Sequence, residues 1–221
     1  MVHGYFNVTV VEEWITFFAA LLFLNRKTGA WQLFRLLMSF ILIAETVGWY
    51  LRVNGYRQYN AMPFNVLMLL TDSFLIWFFG VTKWFEGERK ILLIAVVLFL
   101  AFWLTNLFLI QGPWIYNYYS ETLADVLLTV ICGIFLYKVL RSDDYINLLL
   151  FDYFWLGTGV LFSSLGSALL YQFSALLHQY DITTGIDIGT YINFGLNTLL
   201  YLSLIISFIC RRKATRLLQP S

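Results

Sequence analysis

Residues 91–110 read ILLIAVVLFLAFWLTNLFLI, twenty positions without a charged side chain, set between Glu88-Arg89-Lys90 and Gln111-Gly112-Pro113. At a rise of about 1.5 Å per residue such a run covers about 30 Å, the thickness of a bilayer's hydrocarbon core. The surrounding chain has the same character. Only 12% of the 221 residues are charged and 60% are hydrophobic, against roughly 25% charged in a soluble domain. There are too few polar side chains to cover a water-facing surface, so lipid is the expected solvent. The 19% aromatic content fits Trp and Tyr belts at two headgroup layers.

Working outward, seven such runs are expected, at 8–24, 33–53, 63–81, 91–110, 115–140, 148–170 and 188–210. The breaks carry turn chemistry: Asn25-Arg26-Lys27-Thr28-Gly29, Asn54-Gly55, Gln111-Gly112-Pro113 and Arg141-Ser142-Asp143-Asp144. The expected fold class is all-α, a polytopic membrane protein with a single seven-helix transmembrane domain over 1–221. The start lacks a basic leader region and a small-residue cleavage site, so the first apolar run is expected to remain as a helix. The loops are too short to house a soluble domain.

Orientation follows from charge. One set of alternating loops and helix ends holds twelve of the fourteen Lys and Arg residues, and the other holds only Arg52 and Arg57. The positive-inside rule then places the N-terminus outside and the C-terminus in the cytoplasm. Net charge is +1, and no feature points to nucleic acid.

Polar groups within spans are expensive and mark function more often than polar groups elsewhere. Glu45 lies in the second span, Asn65 and Asp72 in the third, Glu121 and Asp125 in the fifth, and Asn193 and Asn197 in the seventh. Arg52 is the basic residue nearest to them. Spacings of three and four place Tyr118, Glu121, Asp125, Thr129 and Cys132 on one helix face. Thr190, Asn193, Asn197 and Tyr201 share another. Most of these groups fall in the outer half, so they are expected to line an outward-facing, carboxylate-rich cavity suited to a small cation, a proton or a lipid. The plainer expectation is glue between helices for Asn106, Asn193 and Asn197, and location at the wet interface for Glu12, Glu13 and Glu121. Asp152, towards the cytoplasmic side, is expected to pair with Lys138 or Arg141.

Several chemistries are excluded. HExxH, CxxC, GxSxG and phosphate-loop motifs are missing, and His3 and His178 are the only histidines. A multi-histidine zinc site is therefore ruled out. The seventh span contains no lysine for a retinal Schiff base. Neither a metal nor another cofactor is expected.

Glu45, Asn65 with Asp72, the run Phe154-Trp155-Leu156-Gly157, Asn193 with Asn197, and the ending Phe208-Ile209-Cys210-Arg211-Arg212 together resemble a broad group of small bacterial seven-helix membrane proteins. The resemblance implies residence in the bacterial cytoplasmic membrane and a separately encoded signalling partner at the cytoplasmic face. The leading functional expectation is a ligand-sensing, receptor-like module. The alternatives are an intramembrane lipid-modifying enzyme with paired carboxylates and a proton- or cation-coupled transporter.

Overall fold

The computed structural model describes residues 8–24, 26–143 and 146–217. Asn25 and Asp144, which belong to two of the expected turns, lie outside the described residues. The described chain is all-helical: α1 (Val8–Phe23), α2 (Leu33–Val53), α3 (Ala61–Gly80), α4 (Arg89–Thr105), α5 (Tyr118–Leu140), α6 (Asp152–Gln172), α7 (Ser174–Thr184) and α8 (Ile188–Leu217). Six segments are long and apolar enough to cross a bilayer: Thr28–Val53, Arg57–Gly80, Arg89–Ile110, Tyr118–Leu140, Asp152–Gln172 and Ile188–Arg216. This is the architecture of an integral membrane protein. α1 has sixteen described residues, about 24 Å of helix, and is not among the six.

Local chemistry explains where the helices differ from the expected spans. The fifth starts at Tyr118 and not at 115, because the preceding loop is tied down. Asn65 Nδ2 donates to the carbonyls of Ile115 (2.9 Å) and Pro113 (3.4 Å), and its Oδ1 accepts from the Asn117 backbone N–H at 2.9 Å. α4 runs into a single π-turn, Asn106–Ile110. There the Asn106 amide donates to Asn117, to Ser120 at 3.2 Å and to Gln111 at 2.8 Å. The sixth span starts late, after a short 3-10 turn at Leu148–Leu150.

The stretch between the expected runs 148–170 and 188–210 is largely helical. α7 occupies Ser174–Thr184 and ends at Gly185, whose φ of 71° is left-handed and suits glycine. Asp187 then opens α8. Its carboxylate accepts from the Thr190 N–H (2.9 Å) and hydroxyl (2.6 Å), and those bonds hold its carboxyl below the ordinary range.

The packing partners make a closed ring in the order α1–α2–α3–α5–α6–α8 and back to α1. α4 lies outside it, against α3 and α5, with Ile91, Leu93, Ile94, Val97 and Leu98 exposed. Pairs of contacts set the directions. Arg35 at the start of α2 donates to the Ala20 and Leu21 carbonyls at the end of α1. Lys138 at the end of α5 binds Glu88 (2.7 Å) and the Trp84 carbonyl (2.9 Å) in the α3–α4 connection. That hydrogen bond, together with the ammonium charge, holds the Glu88 carboxyl below its ordinary range.

The end carrying Arg35, Lys138 and Arg211 is the basic end of the ring, and aromatic side chains close it. Trp31, Phe34, Phe78, Phe79, Phe135 and Phe208 are fully buried. Trp31 stands 5.1 Å from Phe78 and 5.0 Å from Tyr153, and Phe34 stands 5.5 Å from Phe208, between ring centres. The two Trp31 contacts are edge-on and the Phe34–Phe208 pair is tilted, arrangements that add to the area the rings bury. Asp152 belongs to this end, and its partner is neither Lys138 nor Arg141. Arg211 reaches it from α8 at 3.3 Å, while Lys138 is held by Glu88 and Arg141 donates to Tyr137. α8 continues past Cys210 because Arg211 also donates to the Thr28 carbonyl, and Arg212 to that of Leu22.

Candidate functional site

Above the aromatic closure the ring holds a partly open chamber of about 240 Å³. Its polar lining comes from four helices and one loop: Glu13 (α1), Asp72 (α3), Glu121 (α5), Asn197 and Tyr201 (α8), and Tyr116 from the α4–α5 loop. Its floor is apolar, with Phe34, Met38, Leu75 and Leu204. No lysine or arginine lines it.

Glu13 is 4% exposed. One of its oxygens accepts from the Tyr201 hydroxyl at 3.1 Å, and the other has no partner among the described protein groups. One oxygen each of Asp72 and Asp125 is likewise buried and unpaired. Glu12, one residue before Glu13, accepts from the Thr198 hydroxyl at 2.6 Å. Two acids of α1 are thus hydrogen-bonded to successive turns of α8. Unpaired buried carboxylate oxygens cost more than those that find a donor, so a chamber that concentrates them favours a guest that donates to them.

The expected site residues separate into groups. Asp72, Glu121 and Asn197 line the chamber. Asp125 is buried one turn below Glu121, interacts electrostatically with Asp72 and Glu121, and reaches Ser164 of α6, but it does not line the chamber. Glu45 is half-buried and within electrostatic reach of Glu13. Arg52 is exposed at the other end of α2, with its Nε on the Gly48 carbonyl at 3.3 Å, and acts on Glu45 at a distance. Asn65 is fully buried in the loop contacts described above, which use its amide on backbone groups. Asn193 lies outside the chamber, in a separate cavity.

That second cavity is larger, about 690 Å³, and open. It lies between α5, α6, α7 and α8, with Tyr118, Tyr171, His178, Asp181, Thr190 and Asn193 in its walls.

Glu13 and Tyr116, which were not among the expected site residues, complete the chamber with Tyr201, expected only as a member of the α8 stripe. Glu13 had the signal of an acid beside an apolar run, but its depth depends on α1 lying in the ring. The Asn197–Tyr201 spacing on α8 was legible, while the meeting of Tyr201 with Glu13 joins residues 188 positions apart. Among the described residues no group of three His, Cys, Asp or Glu side chains is placed to hold a metal ion. Comparison with known protein families, curated proteins and solved structures finds no match to this chain.

Proposed function

We propose that this protein is a seven-span, N-out membrane receptor-like module that binds a small organic cation in the chamber and passes its state to a partner at the basic face. The carrying observation is the chamber itself. It has three carboxylates and no basic group on its walls, and it is stopped at the basic end by packed aromatic rings.

A transporter needs polar footholds through both halves of the ring. Below the chamber the one buried acid among the described residues, Asp152, is occupied by Arg211. A lipid-modifying enzyme needs acids facing a lateral opening. The groove between α2 and α3, about 480 Å³ and lined by Phe40, Val47, Val66, Leu70 and Trp114 among others, carries no carboxylate. A sensor needs neither feature.

The cation should bind as the partner of the unpaired carboxylate oxygens. Heat-induced unfolding of the purified protein in detergent tests this with methylammonium, tetramethylammonium and choline. A ligand at a hundred times its Kd stabilises the native state by about 2.7 kcal/mol. At least one of these ions should raise the melting temperature, and chloride salts of sodium at equal ionic strength should not. No shift with any of the three would refute the reading.

In this reading α1 is the seventh span. Its Val8, Val11, Ile15, Phe18 and Leu22 are exposed on the outside of the ring, as lipid contact requires. Single cysteines introduced at Tyr59 and Thr184, in a chain with Cys132 and Cys210 replaced by alanine, should react with an impermeant maleimide added outside cells. Cysteines at Gly87 and Ser142 should react only after permeabilisation. Outside labelling at Gly87 would overturn the orientation.

A further inference from the structure

The groove between α2 and α3 opens on the outside of the ring. Phe40, Ile43 and Val47 of α2 and Val66 and Leu70 of α3 are exposed in it, and none of its lining residues is charged. In an integral membrane protein such a surface meets lipid. Its length matters there. From Phe40 to Leu51 the groove follows α2 for about 16 Å. That is about half of a bilayer's hydrocarbon core, the depth of one leaflet. A partner's transmembrane helix would need a groove about twice as long.

The end of the groove at Leu51 has a different chemistry. Tyr59 and Trp114 meet there edge-on, 4.8 Å between ring centres, as aromatic side chains do at headgroup level. Arg52 follows Leu51, and Arg57 opens the short turn that ends in Tyr59. Arg52 Nε donates to the Gly48 carbonyl at 3.3 Å, so the side chain folds back along α2. Gly48 is where α2 meets α3, since a Cβ added there would lie 2.7 Å from the Phe64 ring. Both arginines are exposed, and neither forms an ion pair among the described residues. The two loops at this mouth, 54–60 and 111–117, contain no Asp or Glu. Glu45, which Arg52 influences electrostatically, stands seven residues down α2 and outside the groove lining.

We propose that the α2–α3 groove is a binding site for an anionic phospholipid, with one acyl chain lying between Leu51 and Phe40 and the phosphate held by Arg52 and Arg57. The planar fork of a guanidinium suits phosphate oxygens. A zwitterionic lipid brings its own amine, for which the mouth loops offer no carboxylate, so an anionic headgroup is preferred. The site is independent of the chamber and of any guest there.

Native mass spectrometry of the purified chain in an uncharged detergent tests this with dioleoylphosphatidylglycerol and dioleoylphosphatidylcholine. The parent should retain one phosphatidylglycerol with a preference of about tenfold or more over phosphatidylcholine. Arg52→Ala combined with Arg57→Ala should weaken retention of phosphatidylglycerol by about thirtyfold, about fivefold from each arginine, and leave that of phosphatidylcholine unchanged. Val66→Trp fills the groove from its α3 wall and should remove retention of both lipids with the arginines intact. Val47→Trp does the same from α2 and carries this arm if the first variant does not fold. Glycerol phosphate, a head without a chain, should not compete.

Equal retention of the two lipids by the parent, or a preference that survives the loss of both arginines, would overturn the site. So would phosphatidylglycerol retention untouched by either tryptophan, the mark of lipid held elsewhere or only as an unspecific annulus. Competition by glycerol phosphate would reduce the site to one for free phosphate and remove the acyl chain from it. A dimer in the parent that the tryptophan substitutions dissociate would give the groove to a second copy of the chain, and the lipid site would fall.

Discussion

Leucine in place of Gly159 is expected to destabilise the protein by at least about 3 kcal/mol, the upper range for overpacking a tight interior. α6 and α8 pack closely here. A Cβ added at Gly159 would lie 2.5 Å from the Ser203 Cβ and 2.9 Å from its hydroxyl oxygen. The obstacle is the first side-chain carbon of a buried residue, which cannot rotate away, so even Gly159→Ala should be costly. The diagnosis is testable by compensation. Ser203→Gly removes the obstructing atom, and Gly159→Ala should then cost little more than the helix-propensity difference allows. Melting temperatures of the two single variants and the double variant give the coupling. Gly133, in the middle of α5, has nothing within 4 Å of an added Cβ. Gly133→Ala should be neutral or stabilising by up to about 1 kcal/mol. Additive losses at 159 and 203, or an equal loss at 133, would mean that close approach of α6 and α8 is not what Gly159 serves.

Hydropathy made most of the helices legible, since the cost of an unsatisfied backbone in lipid demands long apolar helices and little else. The expected 33–53 coincides with α2, and 91–110 lies within α4 and its π-turn. Hydropathy does not say which face of an apolar helix turns inward. α4 has the most apolar window of the six candidate spans and stands outside the ring, whereas α1, with two acids, stands in it. α7 escaped notice because its residues, Ser174 to Thr184, have no apolar period, and only Gly185 marks its end. Single-helix spacing singled out candidate residues one helix at a time. Asp72, Glu121 and Asn197 stand on one cavity in the structure, while Glu45 and Asp125, expected beside Asp72, stand off it. Asn65 was misleading for a physical reason: a buried amide serves a loop backbone as well as it serves a ligand. The Glu13–Tyr201 and Asp152–Arg211 contacts join distant parts of the chain, and no local pattern announces either one.

The second large effect concerns Asp72. Of the chamber carboxylates it stands near mid-depth on α3, eight residues from Gly80, with one buried oxygen that no described protein group donates to. Asp72→Asn keeps the shape and replaces the carboxyl group with an amide that cannot carry a negative charge opposite a bound cation. The native fold should tolerate this well, since the amide is cheaper to bury than the carboxylate, and the melting temperature without ligand should stay the same or rise. Cation binding should suffer far more. Removing one partner of a buried charge pair costs about 3–5 kcal/mol, which is at least about a hundredfold in Kd. The ammonium ion that stabilises the unmodified protein should therefore lose its effect at the same concentration. Asp125→Asn provides the contrast, because Asp125 influences Asp72 from outside the chamber wall and reaches Ser164 of α6. Its substitution should weaken binding by less than Asp72→Asn does. A structural role for Asp72 would reverse the pattern, with a lower melting temperature in the absence of ligand and an undiminished shift on adding it. Thermal unfolding of the two variants beside the parent, with and without the ion, separates these outcomes. Equal binding in all three would remove Asp72 from the site and leave Glu13 and Glu121 as the acids to test next.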